Sequence, residues 1–260
     1  MSRRRRPVRF WPAAPPPVDP AELLGPRGLV PEVMADAPLE PAGEDDAFWE
    51  SLLSEARRAR IESVIAARLA SVTCVLDQLY DPHNTAAIVR TAEGLGLLRV
   101  NVVPNADADE MAHRRVTQDA DKWLQIVAHE SGAAAARALR GQGFDVFAGH
   151  LDGRALLLDE LPADRPVALL FGHEHQGPSA ETLAACSGTF KIPMAGFTQS
   201  FNVSVAAAIA LSQIASARRR HLNAAGDLDE AERAALRSRF YKLAAKLARR
   251  IPDAPRLARK

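Results

Sequence analysis

Five polar residues have types and spacings that could do chemistry. Asn84 and Arg90 lie six apart in a stretch running Asp81-Pro82-His83-Asn84-Thr85-Ala86-Ala87-Ile88-Val89-Arg90. Glu174 sits between two histidines and two glycines, in Gly172-His173-Glu174-His175-Gln176-Gly177. Ser200 and Asn202 follow Lys191-Ile192-Pro193-Met194-Ala195-Gly196 and precede the apolar run that begins at Val203. Arginine is a permanent cation and a multiple hydrogen-bond donor. On a helix its plain reading is an exposed ion pair. Asn84, Ser200 and Asn202 are residue types that cap helices. The glycines around Glu174 permit close backbone approach, and Gly196 permits an unusual turn. Two histidines and a glutamate invite a metal reading. Adjacent loop positions do not reproduce the H-E-x-x-H helical spacing, and a site needs three or four convergent ligands. No metal is expected.

The elements that must carry these residues alternate. Strands are expected over 72–76, 99–104, 123–128, 144–149, 167–171 and 189–193. Helices are expected over 84–95, 109–120, 132–140 and from 202 to about 221. Short apolar strands separated by helices imply an α/β fold, a parallel sheet with helices on both faces. All three polar segments then follow the carboxyl ends of strands, where open α/β sheets bind ligands. The flanks differ. Residues 1–44 are rich in proline and alanine, an extended or disordered arm. A helical pattern covers 45–70, the α/β domain 71–221, and a basic helical extension 222–260, its helix running over 228–250 with Leu236, Phe240, Leu243 and Leu247 as apolar stripe.

Charge is distributed unevenly although the net value is only +1. Residues 1–9 hold five arginines, residues 10–55 hold ten acids against one arginine, and residues 218–260 hold thirteen Lys or Arg against five acids. Basic ends suit a polyanion such as RNA, or simply solvate a helix and a tail. Neutralising Arg218, Arg219 and Arg220 is therefore expected to weaken RNA binding. No apolar run approaches the roughly 20 residues of a membrane span, and no apolar run follows the N-terminal arginines, so neither membrane nor secretory signal is expected. Cys74 and Cys186 have no motif spacing. Cys74 lies in an apolar strand pattern, which predicts a buried free thiol and a cytoplasmic setting. No G-x-G-x-x-G loop follows the first strand, and no Walker loop or serine-hydrolase elbow is present.

Taken together, 81–92, 169–178 and 191–206 resemble motifs 1, 2 and 3 of the SpoU/TrmH branch of the SPOUT RNA methyltransferases. The similarity spans about 50–220. It implies a C-terminal deep trefoil knot, S-adenosyl-L-methionine as cofactor, and 2′-O-methylation of an RNA ribose. The TrmH flavour of the motifs implies tRNA, at the guanosine of position 18 in the D-loop, as substrate. Ribosomal RNA is the alternative substrate, and an inactive RNA-binding protein the alternative from another class. The resemblance makes Arg90, Asn84, Glu174, Ser200 and Asn202 the catalytic set. It gives the cofactor to Gly149, Gly172, Ile192, Met194 and Phe201, largely through backbone groups, with Phe201 standing where the family pattern has leucine. It also implies a homodimer, with Arg90 reaching the partner's cofactor loop. A guanidinium is a poor base. Orienting a phosphate and stabilising a developing alkoxide is the better physical role for Arg90.

Overall fold

The structure, a computed structural model, describes residues 46–105 and 120–248. The expected arm over 1–44 lies outside them, as does the expected helix over 109–120 apart from Ala120.

Seven strands form one fully parallel sheet. They are β1 (Val72–Asp77), β2 (Arg99–Val103), β3 (Gln125–Ala128), β4 (Asp145–Gly149), β5 (Leu156–Leu157), β6 (Val167–Phe171) and β7 (Gly188–Lys191). Their order across the sheet is β3-β2-β1-β6-β4-β7-β5. The chain therefore lays β1, β2 and β3 outward on one side, then returns to build the other half. β1 is hydrogen-bonded to β2 and β6, with Cys74 opposite Val100 on one side and Leu169 on the other.

Both faces of the sheet are covered, and the two-residue period of a strand shows how. Val167, Leu169 and Phe171 of β6 join one core, together with Val72, Cys74 and Leu76 of β1. The helices on that face are α3 (Pro82–Gly94) and α6 (Val203–Leu222), through Ile88, Val89, Ala92, Ala207, Leu211 and Ile214. Ala168 and Leu170 point the other way, with Val75, Val146 and Ala148. They meet α4 (Gly132–Gly141) and α5 (Ala180–Ala185) through Ala133, Ala136, Leu139 and Ala185. A strand buried on both sides must be apolar at every position, which is why β6 reads Val-Ala-Leu-Leu-Phe.

A third core lies off the sheet. The helical pattern expected over 45–70 is two helices, α1 (Asp46–Ser51) and α2 (Glu55–Ala66). Ser54 breaks it by accepting a hydrogen bond from the Arg57 N–H as N-cap of α2. Leu53, Ile61 and Ile65 pack there with Leu228, Leu236, Phe240 and Tyr241. The last three belong to α7 (Glu230–Ala248). Leu236 and Phe240 of the expected stripe are thus core residues. Gly226 lies in this union: a Cβ there would stand 2.4 Å from the Arg68 carbonyl oxygen.

The basic residues at the junction of α6 and α7 are used internally, which corrects the expectation that Arg218, Arg219 and Arg220 act as a group on RNA. Arg218 is buried and donates to Ser71 Oγ at 2.9 Å and the Ala163 carbonyl at 3.1 Å. Arg219 donates to the carbonyls of Ala225, Ala67 and Leu95. Only Arg220 of the three is exposed. In α7, Arg237 pairs with Glu62 at 2.7 Å and Arg239 donates to the Leu124 carbonyl at 2.9 Å.

Candidate active site

Because all strands are parallel, the segments 78–81, 150–155, 172–179 and 192–202 leave the sheet at one edge. Two of them close on α3. Asp81 caps that helix by accepting from the His83 N–H at 2.8 Å, and Pro82 occupies its first turn. An Asp-Pro pair is a strong start signal, since proline lacks the N–H that would be orphaned there. Asn84 is therefore not the N-cap expected from its type. It lies inside the first turn, 7% exposed, with its side chain free for tertiary bonds.

Those bonds join three distant parts of the chain. Asn84 Nδ2 donates to Glu174 Oε1 at 2.8 Å, and Asn84 Oδ1 accepts from Asn202 Nδ2 at 3.1 Å. Glu174 also accepts from the Tyr80 N–H at 2.8 Å and the Asp81 N–H at 3.2 Å. Partial burial pushes the Glu174 carboxyl up. The bonds from Asn84, Tyr80, its own N–H and Asp81 outweigh that and hold it below its ordinary value. Asn202 is the N-cap of α6, its Oδ1 accepting from the Ser204 N–H at 2.8 Å and the Ser204 hydroxyl at 2.6 Å. One asparagine thus starts α6 and ties it to α3.

The Glu174 loop is shaped by its glycines. A Cβ at Gly172 would stand 2.4 Å from Pro178 N, so only glycine lets the loop close on itself. Gly177 has φ +66 and its N–H donates to the His173 carbonyl at 2.7 Å. That left-handed backbone is glycine's territory. Gly196, expected to supply an unusual turn, has no positive φ.

The remaining expected residues fall into two groups. Gly149 ends β4, and a Cβ there would meet the Phe190 ring at 3.5 Å. Ile192 is half-buried against the first core and Met194 half-buried beyond it. Ser200 and Phe201 are exposed. Among the described residues, the backbone from 193 to 201 makes no hydrogen bond to another backbone group. Its N–H and C=O groups are left for water or a ligand. Arg90 stands apart. It is exposed on α3 with no hydrogen-bond or ion-pair partner among the described residues. Six residues from Asn84 place it about 9 Å along the helix and roughly 120° around it. The chain assembles Asn84, Glu174 and Asn202, and leaves Arg90 facing outward.

Sequence reasoning missed the part played by Tyr80 and Asp81, which hold Glu174 through backbone groups that no side-chain motif reveals. It also missed Asp77 at the end of β1. Burial pushes the Asp77 carboxyl up against the opposing bonds from the Thr182 hydroxyl, 3.2 Å away, and the Gly132 N–H. A Cβ at Gly132 would overlap that carboxyl, so glycine is required there. Both thiols are free and buried. Burial pushes Cys74 up to about 12 and, with the Asp77 charge, Cys186 up to about 11. Among the described residues no three His, Cys, Asp or Glu side chains converge as a metal site, and no helix is long and apolar enough to cross a membrane.

Known proteins resemble this chain in sequence and fold. The family model described as the SpoU rRNA Methylase family matches residues 71–212, which span β1 to α6. A tRNA (guanosine(18)-2′-O)-methyltransferase of Thermus thermophilus is 39% identical over 171 residues, 66% of this chain and 86% of the relative. The Escherichia coli protein of the same name is 35% identical over 173 residues, 66% of this chain and 73% of the relative. The crystal structure of the TrmH/SpoU tRNA modifying enzyme of A. aeolicus superposes with a TM-score of 0.64 at 27% identity, covering 74% of this chain and 96% of that one.

Proposed function

The chain belongs to the SpoU rRNA methylase family, and from that premise we propose that it methylates the ribose 2′-oxygen of the guanosine at position 18 in the tRNA D-loop. The relatives named above carry that activity in their names and align over two thirds of the chain. The observation that carries the reading is the Glu174–Asn84–Asn202 chain of hydrogen bonds, because it joins the three segments whose order marks the family.

The cofactor is S-adenosyl-L-methionine. When bound, it supplies an electrophilic methyl on a cationic sulfur. The loop after β7 fits it, since the unused backbone groups of 193–201 suit the edges of an adenosine and the half-buried Ile192 and Met194 suit its apolar faces. Gly149, Gly172 and Phe201 would complete that border. Glu174 does not act as a proton acceptor. It is held as the carboxylate by its donors, and its task is to fix Asn84 and the start of α3. Asn84 and Asn202 share one hydrogen bond that fixes them together, and each keeps a second amide N–H to offer the ribose. Ser200 is free to meet the 2′-hydroxyl or its phosphate. Arg90 supplies positive charge where the hydroxyl oxygen gains negative charge. The proton leaves to water or an RNA phosphate.

A second copy completes the site. Arg90 faces away from Asn84 within one chain, and Val205 and Ile209 lie exposed four residues apart on α6, with Phe201 exposed just before its N-cap. Four-residue spacing puts apolar side chains in one row on a helix, a row suited to an α6-centred homodimer in which Arg90 serves the partner. The C-terminal knot fits the same picture, with Glu174 and Asn202 drawn to a single asparagine. Free buried cysteines suit a cytoplasmic setting.

The test is transfer of labelled methyl from S-adenosylmethionine to tRNA and ribosomal-RNA transcripts, followed by nucleoside mass spectrometry. Label in the tRNA at the position-18 guanosine, lost when that nucleotide is replaced, is expected. Label in ribosomal RNA alone would reverse the substrate assignment.

A further inference from the structure

Three rings gather beside the Asn84–Glu174 bond without entering the chemistry above. Tyr80 and His173 have centroids 5.9 Å apart at 41°, Tyr80 and His175 6.5 Å apart at 53°, and the two histidines 5.8 Å apart at 49°. Tyr80 is 58% exposed. His173 is half-buried and His175 exposed. A tyrosine left this open forfeits the burial that usually justifies its size. The backbone beneath the cluster is nonetheless held in place. The Tyr80 N–H donates to Glu174 Oε2, and the His175 N–H donates to His173 Nδ1 at 3.1 Å. His173 is further pinned by its bridge to Gly177. The backbones that carry the three rings are therefore held beside Glu174.

We propose that Tyr80, His173 and His175 form a stacking platform for an unpaired nucleobase of the RNA substrate, adjoining the nucleotide whose ribose is methylated. This rests on the methyltransferase reading. A ribose hydroxyl can approach a bound methyl donor only when its nucleotide is drawn out of its own stack, and the bases then exposed need new faces. Rings supply those faces without regard to sequence. A metal would compete poorly for His173, whose Nδ1 is already an acceptor for the neighbouring N–H. A phosphate site would need permanent cations, and the cluster holds no lysine or arginine.

The experiment compares wild-type, Tyr80→Ala and Tyr80→Phe full-length protein, using an unmodified tRNA transcript as probe. Binding of the transcript is measured across a salt series, binding of S-adenosylmethionine by calorimetry, and mass by light scattering. Tyr80→Ala is expected to weaken transcript binding roughly 5- to 100-fold, the usual cost of removing one stacked ring. Its slope against salt should match wild type, because no phosphate contact is lost. Cofactor affinity and mass should not change, and Tyr80→Phe should bind within about twofold of wild type. Transcript binding by Tyr80→Ala within about twofold of wild type overturns the platform. So does a loss shared with cofactor affinity or with dimer mass, which would make Tyr80 a structural or interface residue. Wild-type protein that binds the transcript without methylating it would sink the functional reading instead, while the Tyr80 comparison would still decide the platform.

Discussion

Replacing Arg90 by alanine removes an exposed cation that supports no described hydrogen bond or ion pair, so the fold should not notice. The rate should. A group that stabilises charge only in the transition state lowers the barrier without holding the cofactor. Methyl transfer by Arg90→Ala is expected to fall well over 10-fold, with S-adenosylmethionine affinity intact by calorimetry. Retention of more than about a tenth of the wild-type rate, a barrier change under about 1.4 kcal/mol, would remove Arg90 from the reaction. Glu174 makes the opposite kind of prediction. Its carboxyl lies below the ordinary 4.5 because it accepts from Asn84, Tyr80 and Asp81 against the cost of burial. A lowered value means that these bonds stabilise the fold fully above the ordinary pKa and are lost as pH falls through the lowered one. Glutamine at 174 keeps one acceptor oxygen and turns an amide against an N–H donor. The melting temperature of Glu174→Gln should start lower than wild type near neutrality and converge with it as the pH falls below the ordinary 4.5 and through the lowered value. Parallel curves would show that the carboxylate is not the charged acceptor.

The α6–α7 junction separates residues that a charge count groups together. Arg218 is buried on Ser71 and Ala163, and Ser71 in turn donates to Asp227. Asp227 also accepts from the Ala70 N–H at 2.6 Å, stitching the start of β1 to the segment before α7. Arg218→Ala should cost about 2–4 kcal/mol in denaturant unfolding, since it strands a buried acceptor network. Arg220→Ala should stay within about 0.5 kcal/mol, as an exposed change does. If tRNA is touched at this end, Arg220→Ala alone should flatten the salt slope, by about 0.7 to 0.9. Equal stability of the two variants would show that Arg218 is not structural. The same contrast explains what the sequence disclosed. Strands buried on both faces announce themselves as apolar runs, so 167–171 was legible to the residue and 72–76 to within one. Leu156–Leu157 and Ala180–Ala185 were not, because two and six residues are too few to show a period and exist only through their neighbours. In the candidate site, Asn84, Glu174 and Asn202 were legible as motif positions. Their mutual bonds were not, because they join positions 90 and 118 residues apart. The capping role went to Asp81 because Asp-Pro outranks a later asparagine.

Assembly decides whether the parts of the site meet. In one chain, Asn84 and Glu174 face the sheet edge while Arg90 faces outward, and the proposed dimer would supply Arg90 to that edge from a second copy. Closed two-fold symmetry would place two such composite sites in the proposed dimer. That arrangement predicts complementation. Arg90→Ala and Asn84→Ala proteins should each be inactive alone. Mixed in equal amounts under conditions that let subunits exchange, about half the dimers become mixed, and each mixed dimer carries one site with both substitutions and one with neither. Activity should return to about a quarter of wild type. If Arg90 instead serves its own chain, every site in the mixture carries one lesion and no activity returns. Light scattering on the mixture must show a dimer for either outcome to count. A fully active monomer at low micromolar concentration would dispose of the shared site altogether. The exposed Val205 and Ile209 on α6 give the same question a second reading, because Ile209→Glu should split the proposed dimer and abolish transfer while leaving the buried positions Ala207, Ala210 and Leu211 in place to hold α6 on the sheet.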